Sequence, residues 1–363
     1  MALKKIVLNE WFFFVLLVVY AALVVYNPRF LNPSLVEWNT VAIIASLIII
    51  NTGIFISGGT DLLARKVIAG FKDARSISIA AILLTLVVSM FITNDASLIV
   101  LIPITISIGK LSGNSMTRTI IFEALAANVG STLAPFGNPQ NIILFKAYGM
   151  SLLGFIEASA PIFMVMLAVL MTFAFLLLKK GTVKPVSSNI TYESNLLFLS
   201  LILFIIDIGG LFLGLDYIFF FITSLVGISL LLFFRPPAYG GKETLFRIDF
   251  FLIFTFVMIF LVINSIKSVI SFSVSGTAFG LLVAALLSQV ISNVPTTVLL
   301  TGKVSFLPLL WGANIGGDGT IIASLANLIA FRKLKRGDVF EFLEVSFAFL
   351  AVTLLLGILM ISL

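Results

Sequence analysis

Two carboxylates stand in places where an apolar chain should hold none. Asp95 follows Thr93 and Asn94, and Asp318 lies in the run Ala-Asn-Ile-Gly-Gly-Asp-Gly-Thr at 313–320. A carboxylate at membrane depth is functional by default, either carrying a proton or serving as a fixed charge for Na⁺. Its structural alternative is to cap the N–H groups of a hairpin. Neutral polar and small residues surround both acids: Asn128, Gly130, Ser131, Thr132, Asn138 and Asn141 in one stretch, Ser292, Asn293 and Thr296 in another, and Asn314, Gly316, Gly317, Gly319 and Thr320 beside Asp318. The chemistry of such a set is binding. Side-chain oxygens and unwound carbonyls make a hard oxygen cage for Na⁺. Half-helix N-termini offer N–H groups and partial positive charge to an anion. No Lys or Arg lies in these stretches. The site therefore favours a cation, a neutral species, or an anion carried with Na⁺ or H⁺. Asp95 is expected to supply the charge that the stretch around Asn128 lacks.

The elements that hold these residues read as membrane helices. Of 363 residues, 60% are hydrophobic and 10% charged, against about one quarter charged in a soluble domain. The fold class is an all-α polytopic membrane protein. The basic residues sit in short loops between apolar runs, so the net charge of +6 bears on topology and gives no support to a nucleic-acid partner. The chain has no Cys and no His, which removes thiolate metal sites, cysteine nucleophiles and imidazole bases. No metal site, cofactor or enzymatic activity is expected, with Na⁺ or H⁺ as the coupling ion. Lys4 and Lys5 precede an apolar run with no small-residue cleavage site after it, which reads as a retained first helix.

Uninterrupted spans are expected at about 11–26, 36–57, 153–178, 194–214, 217–234, 249–267 and 339–362. Interrupted ones fall at 76–112, 119–147 and 273–331. The excess of Lys and Arg on the cytoplasmic side tests the threading. With the N-terminus inside, Lys4, Lys5, Arg65, Lys66, Lys72, Arg75, Lys110, Arg118, Lys179, Lys180, Lys184, Arg235, Lys242, Arg247, Arg332, Lys333, Lys335 and Arg336 are cytoplasmic, and Arg29, Lys146, Lys267 and Lys303 are outside. The other threading inverts that split. The expectation is about nine crossings plus two hairpins, N-in and C-out. From Pro295 to Gly302 is a leg of only about 9 Å, far short of a core of about 30 Å. The second hairpin therefore returns from mid-depth, and the first is read as re-entrant by parallel.

The polar motifs recur in order. Thr93-Asn94-Asp95 is matched by Ser292-Asn293-Val294, and Ala127-Asn128-Val129-Gly130-Ser131 by Ala313-Asn314-Ile315-Gly316-Gly317. The first repeat is 1–178, with a hairpin at 76–112 and a broken helix at 119–147. A cytoplasmic linker follows at 179–193, and its sequon at Asn189 reads as chance. The helix 194–214 is unpaired and inverts the second repeat, 215–363, which has a hairpin at 273–302 and a broken helix at 305–331. Inverted repeats with discontinuous helices meeting near the midplane are a transporter signature. Non-helical backbone at that depth survives only where it is buried or lines a cavity. Pro135 and Pro139 are expected to keep the first break open. Among other acids, Glu123 reads equally as facing the site or as a surface residue near Arg118. Asp207, beside a Gly210–Gly214 pair that fits helix contact, reads as structural. Glu157 reads as snorkelling at a helix end.

The tip pair Thr93-Asn94-Asp95 and Ser292-Asn293-Val294-Pro295 resembles the signature of the ion transporter superfamily, which includes arsenite permeases, NhaD-type sodium/proton antiporters, citrate transporters and divalent anion/sodium symporters. The runs 128–141 and 313–327 are similar to its two broken helices. The resemblance covers nearly the whole chain and implies a homodimer in the cell membrane, moving by an elevator, with Asn94, Asn128, Asn293 and Asn314 flanking the ion and substrate sites. Dicarboxylate symporters carry Ser-Asn-Thr at both tips, and this departure leans towards the arsenite permease and antiporter side. The function expected is secondary active transport of a small ion or oxyanion coupled to H⁺ or Na⁺. A Na⁺/H⁺ antiporter is the alternative, and an ion channel the alternative of another class.

Overall fold

The chain was analysed as a computed structural model, which describes residues 10–59, 62, 73–112, 115–178, 181, 192–234, 244–245, 247–270, 273–334 and 338–363. Most of the linker 179–193 lies outside these residues. So do Lys4, Lys5, Arg65, Lys66, Lys72, Lys179, Lys180, Lys184, Arg235, Lys242, Lys335 and Arg336, on which the threading leans.

The described residues form α-helices joined by turns: α1 (Trp11–Tyr26), α2 (Trp38–Ile56), α3 (Ala74–Phe91), α4 (Asn94–Ser112), α5 (Thr117–Ser131), α6 (Pro139–Ala147), α7 (Leu152–Leu177), α8 (Ser194–Phe212), α9 (Tyr217–Phe233), α10 (Phe250–Val269), α11 (Thr277–Ile291), α12 (Asn293–Leu300), α13 (Phe306–Ile315), α14 (Leu325–Lys333) and α15 (Val339–Ser362). Six of them (α2, α3, α7, α8, α10 and α15) are long and apolar enough to cross a membrane. The ends follow local chemistry. Asp73, Ser151, Asp216 and Asp249 each accept from a backbone N–H in the first turn of the helix they open, satisfying donors that a helix start leaves orphaned.

Two expected boundaries move. α12 begins at Asn293, before Pro295, because a proline in the first turn gives up an N–H that has no helical partner there. Its eight residues make a leg of about 12 Å, still far too short to cross. The run from Phe306, which reads from the sequence as stopping at Trp311 before the glycines, continues as α13 to Ile315. Gly312 does not stop it, because a Cβ there would stand 2.4 Å from Leu281 O and 2.7 Å from Ala284 Cβ; this glycine permits close helix packing.

The chain divides into two compact units. The first contains 1–53 and 199–273. In it α1 packs on α10 through Phe13, Phe14 and Phe251, and Asn264 Nδ2 donates to Leu35 O at 2.8 Å. Asp207 is buried and accepts from Ser46 at 2.5 Å and Thr223 at 2.6 Å. A Cβ on Gly210 would strike the Phe219 ring. The buried Asp207 fits the structural part read for it, but of the glycine pair only Gly210 meets a neighbouring helix; Gly214 lies past the end of α8 at φ 67°, with nothing within 4 Å of a Cβ there.

The second unit contains 54–198 and 274–363 and holds every candidate site residue. Its packing has a duplicate plan. α3 lies on α5 as α11 lies on α13, and α7 on α5 as α15 on α13. The short legs are exchanged: α4 packs against α14, and α12 against α6.

Candidate functional site

Each broken helix brings a helix C-terminus and a helix N-terminus together at a polar gap. In the first, α5 ends at Ser131 and α6 begins at Pro139, with Asn138 Oδ1 accepting from Asn141 N at 3.0 Å. Pro139 is thus the first residue of the second half-helix, a position that its fixed φ favours, and does more than keep the gap open. In the second, α13 ends at Ile315 and α14 begins at Leu325, with Ser324 Oγ accepting from Asn327 N at 3.2 Å.

The gaps are closed in the same way. Asn141 Nδ2 donates to Ser131 O, Thr132 O and Ala134 O. Asn327 Nδ2 donates to Gly317 O and Thr320 O. The hairpin tips dock in matching places: Asn94 N donates to Gly137 O at 3.1 Å, and Asn293 N to Ala323 O at 2.9 Å. The offset that takes Asn128 to Asn314 also takes Asn141 to Asn327 and Gly137 to Ala323. It makes Thr132 the counterpart of Asp318. Carbonyls expected to face a cation accept instead from these amides, and Ser131 O, Ala134 O, Gly317 O and Thr320 O each accept a second bond as well.

The two breaks then bond to each other. Asn314 Nδ2 donates to Asn141 Oδ1 at 2.9 Å, and Asn138 Nδ2 to Asn314 Oδ1 at 3.2 Å. Asn128 Nδ2 has Asp318 Oδ1 at 2.9 Å, Gly317 O at 3.1 Å, Ser324 Oγ at 3.2 Å and Asn327 Oδ1 at 3.3 Å. Asn94 Nδ2 donates to Asn128 Oδ1 at 3.2 Å. Gly317 sits where a Cβ would stand 3.0 Å from Asn293 Nδ2 and 3.7 Å from Asn128 Cγ. One buried cluster thus unites Asn94, Asn128, Ser131, Asn138, Asn141, Asn293, Asn314, Gly317 and Asp318.

Other expectations fall differently. The acid that reaches Asn128 is Asp318, where Asp95 was expected; Asp95 is buried in the first turn of α4, and its N–H donates to Asn94 Oδ1 at 3.0 Å. Gly130 and Gly316 face neighbouring helices. A Cβ on Gly130 would meet Leu86 O at 2.1 Å, and one on Gly316 would meet Ala285 Cα at 2.8 Å. Thr132 Oγ1 is turned back to Asn128 O, and Thr320 Oγ1 to Gln289 O. Ser292 adopts φ 73° at the tip, with its hydroxyl on Ala323 O. Thr93 is half-buried beside Asn94. Gly319 takes φ 106°, and its N–H donates to Ser346 Oγ. Asp318 Oδ2 and Thr296 Oγ1 are buried with no hydrogen-bond partner among the described residues.

Sequence reasoning missed Gln289. Its Nε2 donates to Gly316 O and Asp318 O at 2.9 Å, while its Oε1 accepts from Thr320 N. The only signal was one amide in an otherwise apolar run. Ser324 and Asn327 carried a better signal, since Ser-x-x-Asn repeats the spacing of Asn138 and Asn141. Glu123 is fully buried, and Arg118 pairs instead with Glu341, so the surface reading of Glu123 does not hold.

Broken helices, helix ends and a cluster of neutral amides around a buried acid suit a membrane transporter, and its relatives make it one of the citrate and arsenite-permease type. The chain belongs to the citrate transporter family (CitMHS), whose model matches residues 6–306. It is 36% identical over 315 residues to a protein of Methanocaldococcus jannaschii named an uncharacterized transporter, covering 84% of this chain and 83% of that one. It is 31% identical over 310 residues to the inner membrane protein YbiR of Escherichia coli, covering 83% and 81%. A putative transporter named arsB from Dictyostelium discoideum is 26% identical over 176 residues, 47% of this chain and 31% of its own. The protein is a multi-pass protein of the plasma membrane.

Proposed function

We infer that this protein is a secondary active transporter that moves a small ion or oxyanion, arsenite-like or a carboxylate or inorganic anion, with H⁺ or Na⁺ as the coupling ion. The observation that carries the reading is the exchange of partners between the breaks: Asn128 of the first bonds Asp318 and Asn327 of the second, and Asn314 of the second bonds Asn141 and is bonded by Asn138 of the first. A bound species at this junction touches both halves of the duplicate plan, as alternating access requires. We take the halves as inverted repeats in an N-in, C-out chain of about nine crossings with re-entrant hairpins. We take the assembly as a homodimer in lipid whose second unit moves as an elevator.

A Na⁺/H⁺ antiporter is the second reading. It is favoured by Asp318 Oδ2, a buried acceptor with no partner among the described residues, in a cluster without Lys or Arg. The test is flux in proteoliposomes under imposed pH or Na⁺ gradients, over arsenite, citrate, succinate and sulfate. Gradient-driven accumulation of one of them supports the first reading. Na⁺-for-H⁺ exchange with none of them supports the second. Unitary current steps in a bilayer recording would overturn both in favour of a channel.

A further inference from the structure

A second buried carboxyl lies close to the breaks and outside their hydrogen-bond network. Glu123 is on α5, fully buried, about 7.5 Å of helix before Asn128. Its Oε1 accepts from Thr105 Oγ1 of α4 at 2.8 Å. The Thr85 hydroxyl of α3 stands against the same carboxyl and donates to Ala81 O at 2.8 Å. Oε2 has no hydrogen-bond partner among the described residues.

These groups belong to a buried row of hydroxyls between α3 and α5. One turn earlier on α5, Thr119 shares a 2.7 Å hydrogen bond with Ser78 of α3. One turn beyond Thr85, Ser89 abuts the first break, where a Cβ on Gly130 would stand 2.2 Å from Ser89 Oγ. Ser78, Thr85, Ser89, Thr105 and Thr119 are all buried. The row runs from the start of α5 to Gly130.

Charged groups on the surrounding helices are placed elsewhere. On α3, Arg75 donates to Leu178 O and lies over the Phe175 ring. On α4, Asp95 sits in the first turn, at the tip, and the side chain of Lys110 is outside the described residues. Glu157 is in the second turn of α7. Arg332 and Lys333 are in the last turn of α14. On α15, Glu341 pairs with Arg118, and Glu344 follows a turn later. The hydrogen-bonding groups at Glu123 among the described residues are the hydroxyls of Thr105 and Thr85.

We propose that Glu123 is a proton-binding site of the transport cycle, reached along this row of hydroxyls and separate from the substrate-binding breaks. The proposal rests on the transporter reading above. The step is –COO⁻ + H⁺ ⇌ –COOH at Glu123, with no other bond made or broken. With the proton on, Oε2–H donates to Thr85 Oγ1, whose own proton stays on Ala81 O, and Oε1 accepts from Thr105; every group has a partner. With the proton off, both oxygens are acceptors and only Thr105 donates in the arrangement seen. Thr85 must then turn from Ala81 O, or α3 and α4 must shift against α5 to admit water, because an unpartnered buried carboxylate oxygen is strongly disfavoured. α3 and α4 lead into the hairpin tip that docks on Gly137. Proton release at Glu123 is thereby tied to the geometry of the first break.

The test uses the full-length protein in proteoliposomes. Infrared pH-difference spectra should contain a carboxyl C=O band that shifts in D₂O, disappears in Glu123→Gln, and moves in Thr105→Val and Glu123→Asp. With arsenite or citrate as the probe, the stimulation of flux by a pH gradient should fall to unity in Glu123→Gln. An unchanged set of carboxyl bands in Glu123→Gln overturns the proposal, as does undiminished pH stimulation. Should Glu123→Gln fail to fold, Thr105→Val decides: no band shift overturns the proposal. Absence of arsenite and citrate flux in the wild type counts against those two species as substrates, while the infrared bands still decide the proton site.

Discussion

The first break places Thr132 where the second places Asp318. Around that difference the two are held differently. In the first, Asn141 alone gathers three carbonyls, and the backbone stays out of left-handed conformations. In the second, Asn327 gathers two, and the rest depends on groups from other helices: Gln289 of α11 on Gly316 O, Asp318 O and Thr320 N, Ser346 of α15 on Gly319 N, and Asn128 of α5 on Asp318 itself. The neutral break takes fewer bonds from outside: Ser159 Oγ of α7 donates to Leu133 O, Asn94 N to Gly137 O and Asn314 Nδ2 to Asn141 Oδ1. The acidic one carries the carboxyl and a glycine at φ 106°, and more of its shape is fixed from outside. A buried polar network is worth most when every member has a partner, so the acidic break should be the more easily upset.

The largest effect should come from Asn128, the side chain that ties Asp318 into the cluster. Asn128→Ala removes the hydrogen bond to Asp318 Oδ1 and leaves Asn94 Nδ2 without its acceptor. We expect transport to fall to background and stability to drop by about 3 kcal/mol. Asn314→Ala, its counterpart, breaks bonds among neutral groups and should cost about 1–2 kcal/mol. Thermal unfolding in lipid nanodiscs, alongside the flux assay, measures both. Equal losses would erase the asymmetry between the breaks.

The acid itself sharpens the contrast. Asp318→Asn keeps the size of the side chain and removes its ionisable group. Gradient-driven accumulation should fall by about tenfold or more, as for the loss of at least 1.4 kcal/mol of coupling. Thr132→Val alters the equivalent position of the neutral break, where the hydroxyl only returns to Asn128 O, and accumulation should change little. The reverse order, with Thr132→Val the more damaging, would place the coupling chemistry in the first break.

Much of this was legible in the sequence, for reasons particular residues show. Breaks at membrane depth need Asn, Gly, Pro and Ser, and such residues stand out against an apolar background; Asn94, Asn128, Asn293 and Asn314 were found that way. Six long apolar helices were legible because hydrocarbon thickness fixes the length of such a run; α1 and α9, read as spans too, are shorter. Side-chain direction was not. Gly130 and Gly316 sit in the right motifs yet face the neighbouring helix, because the helix turns about 100° per residue and only packing settles which face is buried. Which acid meets Asn128 was not legible for a related reason: closeness in motif order says nothing about which half-helix crosses to which, and the exchange of α4 and α12 is a tertiary fact. Gln289 left almost no trace, since one amide in an apolar run has many explanations.

Gly319 gives the smallest and most local contrast. Its φ of 106° lies where a side chain is strained, and a Cβ there would stand 2.4 Å from Gln289 Oε1 and 2.7 Å from Leu350 Cδ2. Gln289 ends in a flexible side chain and can move, but it is the acceptor for Thr320 N and the donor to Gly316 O and Asp318 O, so displacing it loosens the acidic break as a whole. Gly319→Ala should therefore lower stability by about 1–3 kcal/mol and weaken accumulation a few-fold, with the loss shared by Gln289→Ala. Leu133 holds the equivalent place in the neutral break without positive φ, and Leu133→Gly should have no comparable effect on coupling. A double variant at 289 and 319 measures the connection: if Gln289 is the route by which Gly319 acts, the two losses combine to less than their sum, whereas full additivity would show that the strained glycine acts on Asp318 by another path.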